Sequence, residues 1–179
     1  MVQLTELFGN KKLIKIVDFF IKNSSTRITQ AELIKKTKIA KATAVKWMRY
    51  LVVNDMLKLE KIGVSHIYQL NNESLIVKYV KIIQTLLLLQ GLNELNEKEL
   101  EIYLYGSASR GEDTEKSDID LLIIGKTKRS EIIDFIENIS KNIKRRISFT
   151  VFSPVEWSMM REKDKAYYER LEKDKIRLI

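Results

Sequence analysis

Between Leu104 and Gly125 the chain reads LYGSASRGEDTEKSDIDLLIIG, two apolar runs on either side of a turn built from small and polar residues. The pattern predicts a strand, a tight turn entering a short helix, and a second strand. Alternate residues of a strand point to one face, so Asp118 and Asp120 present two carboxylates side by side. Such a pair repels itself until a divalent cation lies between the two groups. Hard oxygen donors select magnesium or manganese. Upstream, Gly106 lets the backbone approach an anion, Ser107 offers a hydroxyl and an amide, and a helix start directs N–H groups to the same place. Arg110 adds a positive charge. The stretch therefore reads as a phosphate cradle facing a metal-binding carboxylate pair.

The flanking segments supply the rest of a small domain. ELEIYLYG (99–106) reads as the first strand, SDIDLLIIG (117–125) as the second, and RRISFTVFS (145–153) as a third. RSEIIDFIENISKNI has helical spacing through Ile132, Ile133, Phe135, Ile136 and Ile139. In SPVEW, Ser153 caps a helix, Pro154 suits its first turn and Glu156 completes the capping box. AYYERLEKDKIRLI closes the chain as a helix and a short extension.

GSASRG followed by SDIDLLII resembles the signature of the DNA polymerase β-type nucleotidyltransferase superfamily in its minimal form. The resemblance implies that Gly106 and Ser107 hold a triphosphate tail and that Asp118 and Asp120 hold the metals that activate an α-phosphate. It is close over about twenty residues and looser over 99–153. One departure matters. Catalytic members carry a third carboxylate on the following strand, where it completes the metal site and accepts the proton of the attacking hydroxyl. Here that position falls at or near Ser148, with Thr150 next on the same face, and the strand holds no Asp or Glu. A serine hydroxyl is no general base near neutral pH and cannot neutralise a second metal. Turnover then requires Glu156 or another residue as a substitute.

The first 72 residues have a different character. They carry 13 Lys and Arg against 5 Asp and Glu, while the remaining residues balance, so the whole net charge of +8 sits in the first part. A confined basic excess points to a polyanion, with a solvated basic face as the bland alternative. KKLIKIVDFFIKN predicts one helix. Thr29-Gln30-Ala31-Glu32 is a capping box that starts a second, with Ala31 and Ile34 available to pack inward. ATAVKWMRYLVVND predicts a third, with Ala44, Met48 and Leu51 facing the core. MLKLEKIGVSHIYQL alternates on either side of Gly63 as a hairpin does.

Three helices and a hairpin, with IAKATAVKWMRYLVVNDMLK as the most specific part, resemble a winged helix-turn-helix domain. A helix fits the major groove of duplex DNA, where lysines meet phosphates and short polar residues reach base edges. The expected contacts are Lys41, Thr43, Lys46 and Arg49 at the groove, with Lys58, Lys61 and also His66 near the wing.

LIVKYVKIIQTLLLL (75–89) predicts a connecting helix that is apolar around much of its circumference, to be covered by protein or by a second subunit. Gly91 is placed to end it. Its charges at Lys78 and Lys81 argue against a membrane span. The expected fold is α+β in two domains. Residues 1–72 form the winged helix, 73–92 a linking and dimerisation helix, and 93–179 a small mixed-sheet nucleotidyltransferase-like domain. The expected partners are double-stranded DNA, an NTP with Mg2+ or Mn2+, and a second copy of the chain. No secretion signal and no cysteine fit a cytoplasmic protein. Three functional readings follow: a DNA-binding regulator that also transfers a nucleoside monophosphate to a hydroxyl, a regulator that senses nucleotide without turnover, and an antitoxin-like protein with a toxin partner.

Overall fold

Apolar side chains at Leu13, Ile16, Val17, Phe20 and Ile21 recur at helical spacing and are buried along α1 (Lys11–Lys22). The Asn10 side chain caps this helix by accepting from the Lys12 and Leu13 amides. The computed structural model describes residues 9–179, and of 96–98 only the backbone. The chain divides into two units, Met1–Lys78 and Tyr79–Ile179.

In the first unit a two-residue strand β1 (Ile28–Thr29) follows, and then α2 (Gln30–Thr37). The Thr29–Glu32 capping box forms as expected, with the Thr29 amide donating to Glu32 Oε2 at 2.9 Å. Its inward residues are Leu33 and Thr37, however, and Ala31 is exposed. The helix has only two turns, and the capped first turn leaves Ala31 on the solvent side. Lys38 ends it in the left-handed region (φ 54°). Then α3 (Lys41–Val53) buries Ala44, Met48 and Leu51, as its periodicity predicts.

β2 (Leu57–Ile62) and β3 (Ser65–Leu70) form the hairpin, with Ile62 opposite Ser65 and a two-residue turn at Gly63 and Val64. Gly63 has φ +57°, the backbone that tight hairpin turns require. β1 adds to β3, giving the antiparallel order β1-β3-β2.

α4 (Leu75–Leu88) carries the boundary between the units. Val77, Lys81 and Thr85 are buried along it, while Leu75, Ile76, Tyr79, Ile83 and Leu87 are exposed. The helix thus turns a lysine inward and five apolar side chains outward, with Ile82, Leu86 and Leu88 half-buried. The α-helix stops at Leu88 and tightens into a 3-10 segment, Gln90–Lys98, that includes Gly91.

The second unit is built on a four-stranded sheet of order β6-β5-β4-β7. β4 (Glu101–Tyr105) leads through the one-turn helix α5 (Gly106–Ser109) to β5 (Ile119–Ile124), its antiparallel partner. α6 (Arg129–Ile143) crosses over to β6 (Ile147–Phe152), which runs parallel to β5. α7 (Pro154–Lys163) starts with the Ser153–Glu156 capping box, and α8 (Lys165–Asp174) follows. The closing residues pair with β4 as a short strand, β7 (Ile176–Arg177).

Strand alternation sorts the sheet's two faces. Ile102, Leu104, Ile119, Leu121, Ile123, Ile147 and Phe149 pack with Ile132, Ile136 and Ile139 of α6 in the main core. The other face presents Leu122 and Ile124 to Leu171 of α8, with Tyr103, Tyr105, Phe152, Trp157 and Tyr167 around them. Asp120 and Ser148 belong to this second face by the same alternation. Among the described residues no helix is long and apolar enough to cross a membrane.

Candidate functional site

The turn after β4 and the start of β5 meet at the edge of the second face. Tyr105 pairs with Asp120 across the two strands. The next residue, Gly106, has φ +77°, and a Cβ built there would stand 2.7 Å from Asp120 Oδ2. A side chain there would have to displace the carboxylate oxygen and would be strained at this positive φ. The turn is held by its own bonds: the Glu112 amide donates to the Ser107 carbonyl at 2.9 Å, and Ser109 Oγ donates to the Gly106 carbonyl at 2.8 Å.

Asp118 directly precedes β5, two residues before Asp120. Burial pushes the Asp120 carboxyl above its ordinary range, the neighbouring Asp118 charge raises it further, and Arg145 pulls it back. Asp118 itself lies 3.5 Å from Arg146 Nε, an exposed side chain. Two oxygen-bearing groups whose mutual repulsion raises a pKa fit a hard divalent cation, which would be held by Asp118 and Asp120.

Residues 87–176, half of the chain, match the family profile described as nucleotidyltransferase domain. The chain belongs to that family. Comparison with curated proteins and with solved structures gave no match. Gly106, Ser107, Asp118 and Asp120 all fall inside the nucleotidyltransferase domain.

Two details of this nucleotidyltransferase domain bear on its chemistry. In the parallel pairing of β5 and β6, Asp120 stands opposite Ser148 and Leu122 opposite Thr150. The strand that would supply a further carboxylate therefore offers a hydroxyl beside Asp120. Glu156 does not take its place. It lies beyond the far end of β6, and its Oε2 accepts from the Ser153 amide (2.8 Å) and hydroxyl (2.7 Å). Those two donors hold its carboxyl below the ordinary range. Among the described residues no three His, Cys, Asp or Glu side chains gather at one point.

Arg110, expected at the phosphates, is engaged by two carboxylates. Its Nε pairs with Glu112 at 2.8 Å and its Nη1 with Asp174 at 3.3 Å. An incoming phosphate would compete with both. Tyr105, which the sequence did not single out, borders Asp120. Burial raises its hydroxyl pKa, and Tyr167 and Asp120 add to the shift.

In the first unit Lys41, Lys46 and Arg49 are exposed on α3, and Thr43 is half-buried. Opposite the buried line, Ala42, Lys46, Arg49 and Val53 recur at helical spacing as the most outward stripe, with Lys46 Nζ 4.7 Å from the Trp47 ring centroid. A groove of about 490 Å3 brings Lys41 together with Gln30, Ser65 and His66. Lys58 and Lys61 are not brought together. They are three residues apart on β2, so alternation puts them on opposite faces. Lys61 pairs with His66 on the face that carries buried Leu57, Tyr68 and Leu70, whereas Lys58 pairs with Gln69 on the other.

Proposed function

We propose that this protein is a DNA-binding regulator whose nucleotidyltransferase domain holds an NTP with Mg2+ or Mn2+ and reads it without transferring it. Asp118 and Asp120 hold the cation, and the Gly106–Ser107 turn receives the phosphates. Arg110 joins them when it exchanges Glu112 and Asp174 for phosphate oxygens. A divalent cation held by Asp118 and Asp120 would supply the positive charge that neutralises both carboxylates beside the phosphates. The observation that carries the reading is the pairing of Asp120 with Ser148. Beside a carboxylate pair able to bind, it supplies no base to take a proton from an acceptor hydroxyl.

The intact Gly-Ser turn and Asp-x-Asp pair favour a second reading, in which a nucleoside monophosphate passes to a hydroxyl acceptor. Incubation with labelled NTPs and Mg2+, alone and with DNA, decides between them. No labelled product is expected; a labelled product would establish transfer.

The DNA half is supported by the order helix, strand, helix, helix, hairpin and by the sheet order β1-β3-β2, both of which fit a winged helix. Lys41, Lys46 and Arg49 supply phosphate contacts from α3, Lys61 and His66 from the hairpin tip, and Lys58 from the hairpin's other face. The outward apolar side of α4 suits a second copy of the chain, since it bears no charge that a partner would have to match. Ile83→Glu is expected to convert a dimer to a monomer by light scattering; a wild-type chain already monomeric at high concentration removes the dimer.

A further inference from the structure

Lys81 is 3% exposed and Asp113 is 4% exposed, and Arg145 joins them with 14% of its side chain exposed. We infer that these three residues are positioning residues that set the Asp118–Asp120 carboxylates for a cation, an inference that rests on the metal-site reading above. Lys81 Nζ lies 3.6 Å from Asp113 Oδ1 and also donates to the Asp113 carbonyl. Arg145 Nη2 forms an ion pair with Asp113 Oδ2 at 2.6 Å, and its Nε donates to the Ser117 carbonyl at 2.9 Å. Ser117 is the residue bonded to Asp118.

The connecting loop is closed on itself at the same point. The Thr114 amide donates to Ser117 Oγ at 2.9 Å, and the Ser117 amide donates to the Thr114 carbonyl at 3.0 Å. The Ile119 amide then donates to the Arg146 carbonyl at 2.9 Å. Thr114, Ser117 and Ile119, on the stretch that carries the carboxylate pair, are thus tied, directly or through one neighbour, to the buried charges.

Stability alone does not account for this arrangement. Burying charges costs desolvation that their attraction only partly repays, and apolar residues of similar volume often serve as well or better. Burial indeed lowers the Lys81 pKa against the opposing pull of Asp113. Yet α4 turns Lys81 inward and leaves Ile83 and Leu87 in solvent. Residues behind a metal's own ligands act in this way, by fixing the orientation in which the ligands are offered.

The test is Mn2+ binding by the full chain, measured by calorimetry and by electron paramagnetic resonance, beside a thermal melt. Lys81→Met with Asp113→Asn removes two of the three charges and leaves Arg145 without its ion pair, so its melting temperature is expected to fall. Arg145→Lys keeps the positive charge but gives up the contact with the Ser117 carbonyl, and decides the matter should the double variant not fold. Both variants are expected to bind Mn2+ about tenfold or more weakly, the range seen when residues behind metal ligands are replaced, and Arg145→Lys is expected to do so while melting near the wild-type temperature. Folded variants with wild-type affinity would overturn the positioning role and leave the metal site standing. A wild-type chain that binds no Mn2+ would overturn the metal site and this inference with it.

Discussion

Gly106 and Asp120 approach so closely that a single Cβ on the glycine would lie 2.7 Å from the carboxylate oxygen Oδ2. The turn after β4 and the start of β5 therefore share one small space, which a side chain at Gly106 would enter. Gly106→Ala should lose this space and strain a backbone at φ +77°. The expected cost is about 1–3 kcal/mol of stability, read by denaturant titration, together with at least tenfold weaker NTP–Mg2+ binding by calorimetry. Unchanged binding would detach the turn from the site.

Asp120 has a raised pKa, and the sign of its effect on stability follows. The folded chain holds the proton more tightly than the unfolded chain, so ionisation of Asp120 is a penalty. The penalty is absent below the unfolded pKa and fully present above the folded one. Without cation, Asp120→Asn should melt above wild type at neutral pH, and the gap should close as the solution is acidified. Melting scans across pH with a chelator present check this. An Asn variant less stable at neutral pH contradicts it.

Lys46 and Arg49 lie on the outward stripe of α3. Replacing both by Ala should weaken duplex binding and lower the slope of log affinity against log salt by about 2, roughly one per lost phosphate contact. Fluorescence anisotropy at several salt concentrations measures it. A slope equal to wild type would move the DNA face elsewhere.

How much of this was legible in the sequence depends on how local each cause is. The Thr29–Glu32 and Ser153–Glu156 boxes are contacts across three residues, so their chemistry is visible in the string itself. Asp120 and Ser148 could be aligned because the apolar runs around them are strands of similar length. The inward face of α2 was misassigned to Ala31 because a two-turn helix has too few residues for periodicity to choose a side. The burial of Lys81 was invisible because its partner, Asp113, is 32 residues away. β7 escaped notice for the same reason: two residues become a strand only because the edge of β4 is there to pair with.

The sensing account also predicts what a restored carboxylate would do. Ser148→Asp puts a third acid beside Asp120, and should raise Mn2+ affinity about tenfold and yield labelled product from NTP where the wild type yields none. An inert variant with unaltered metal affinity would mean that Ser148 does not face the site.

The most direct measurement is calorimetric titration of the full chain with NTP and Mg2+, repeated with Asp118→Asn/Asp120→Asn. The account predicts saturable binding by the wild type and its loss in the double variant. Equal binding by both proteins, or none by the wild type, would contradict it.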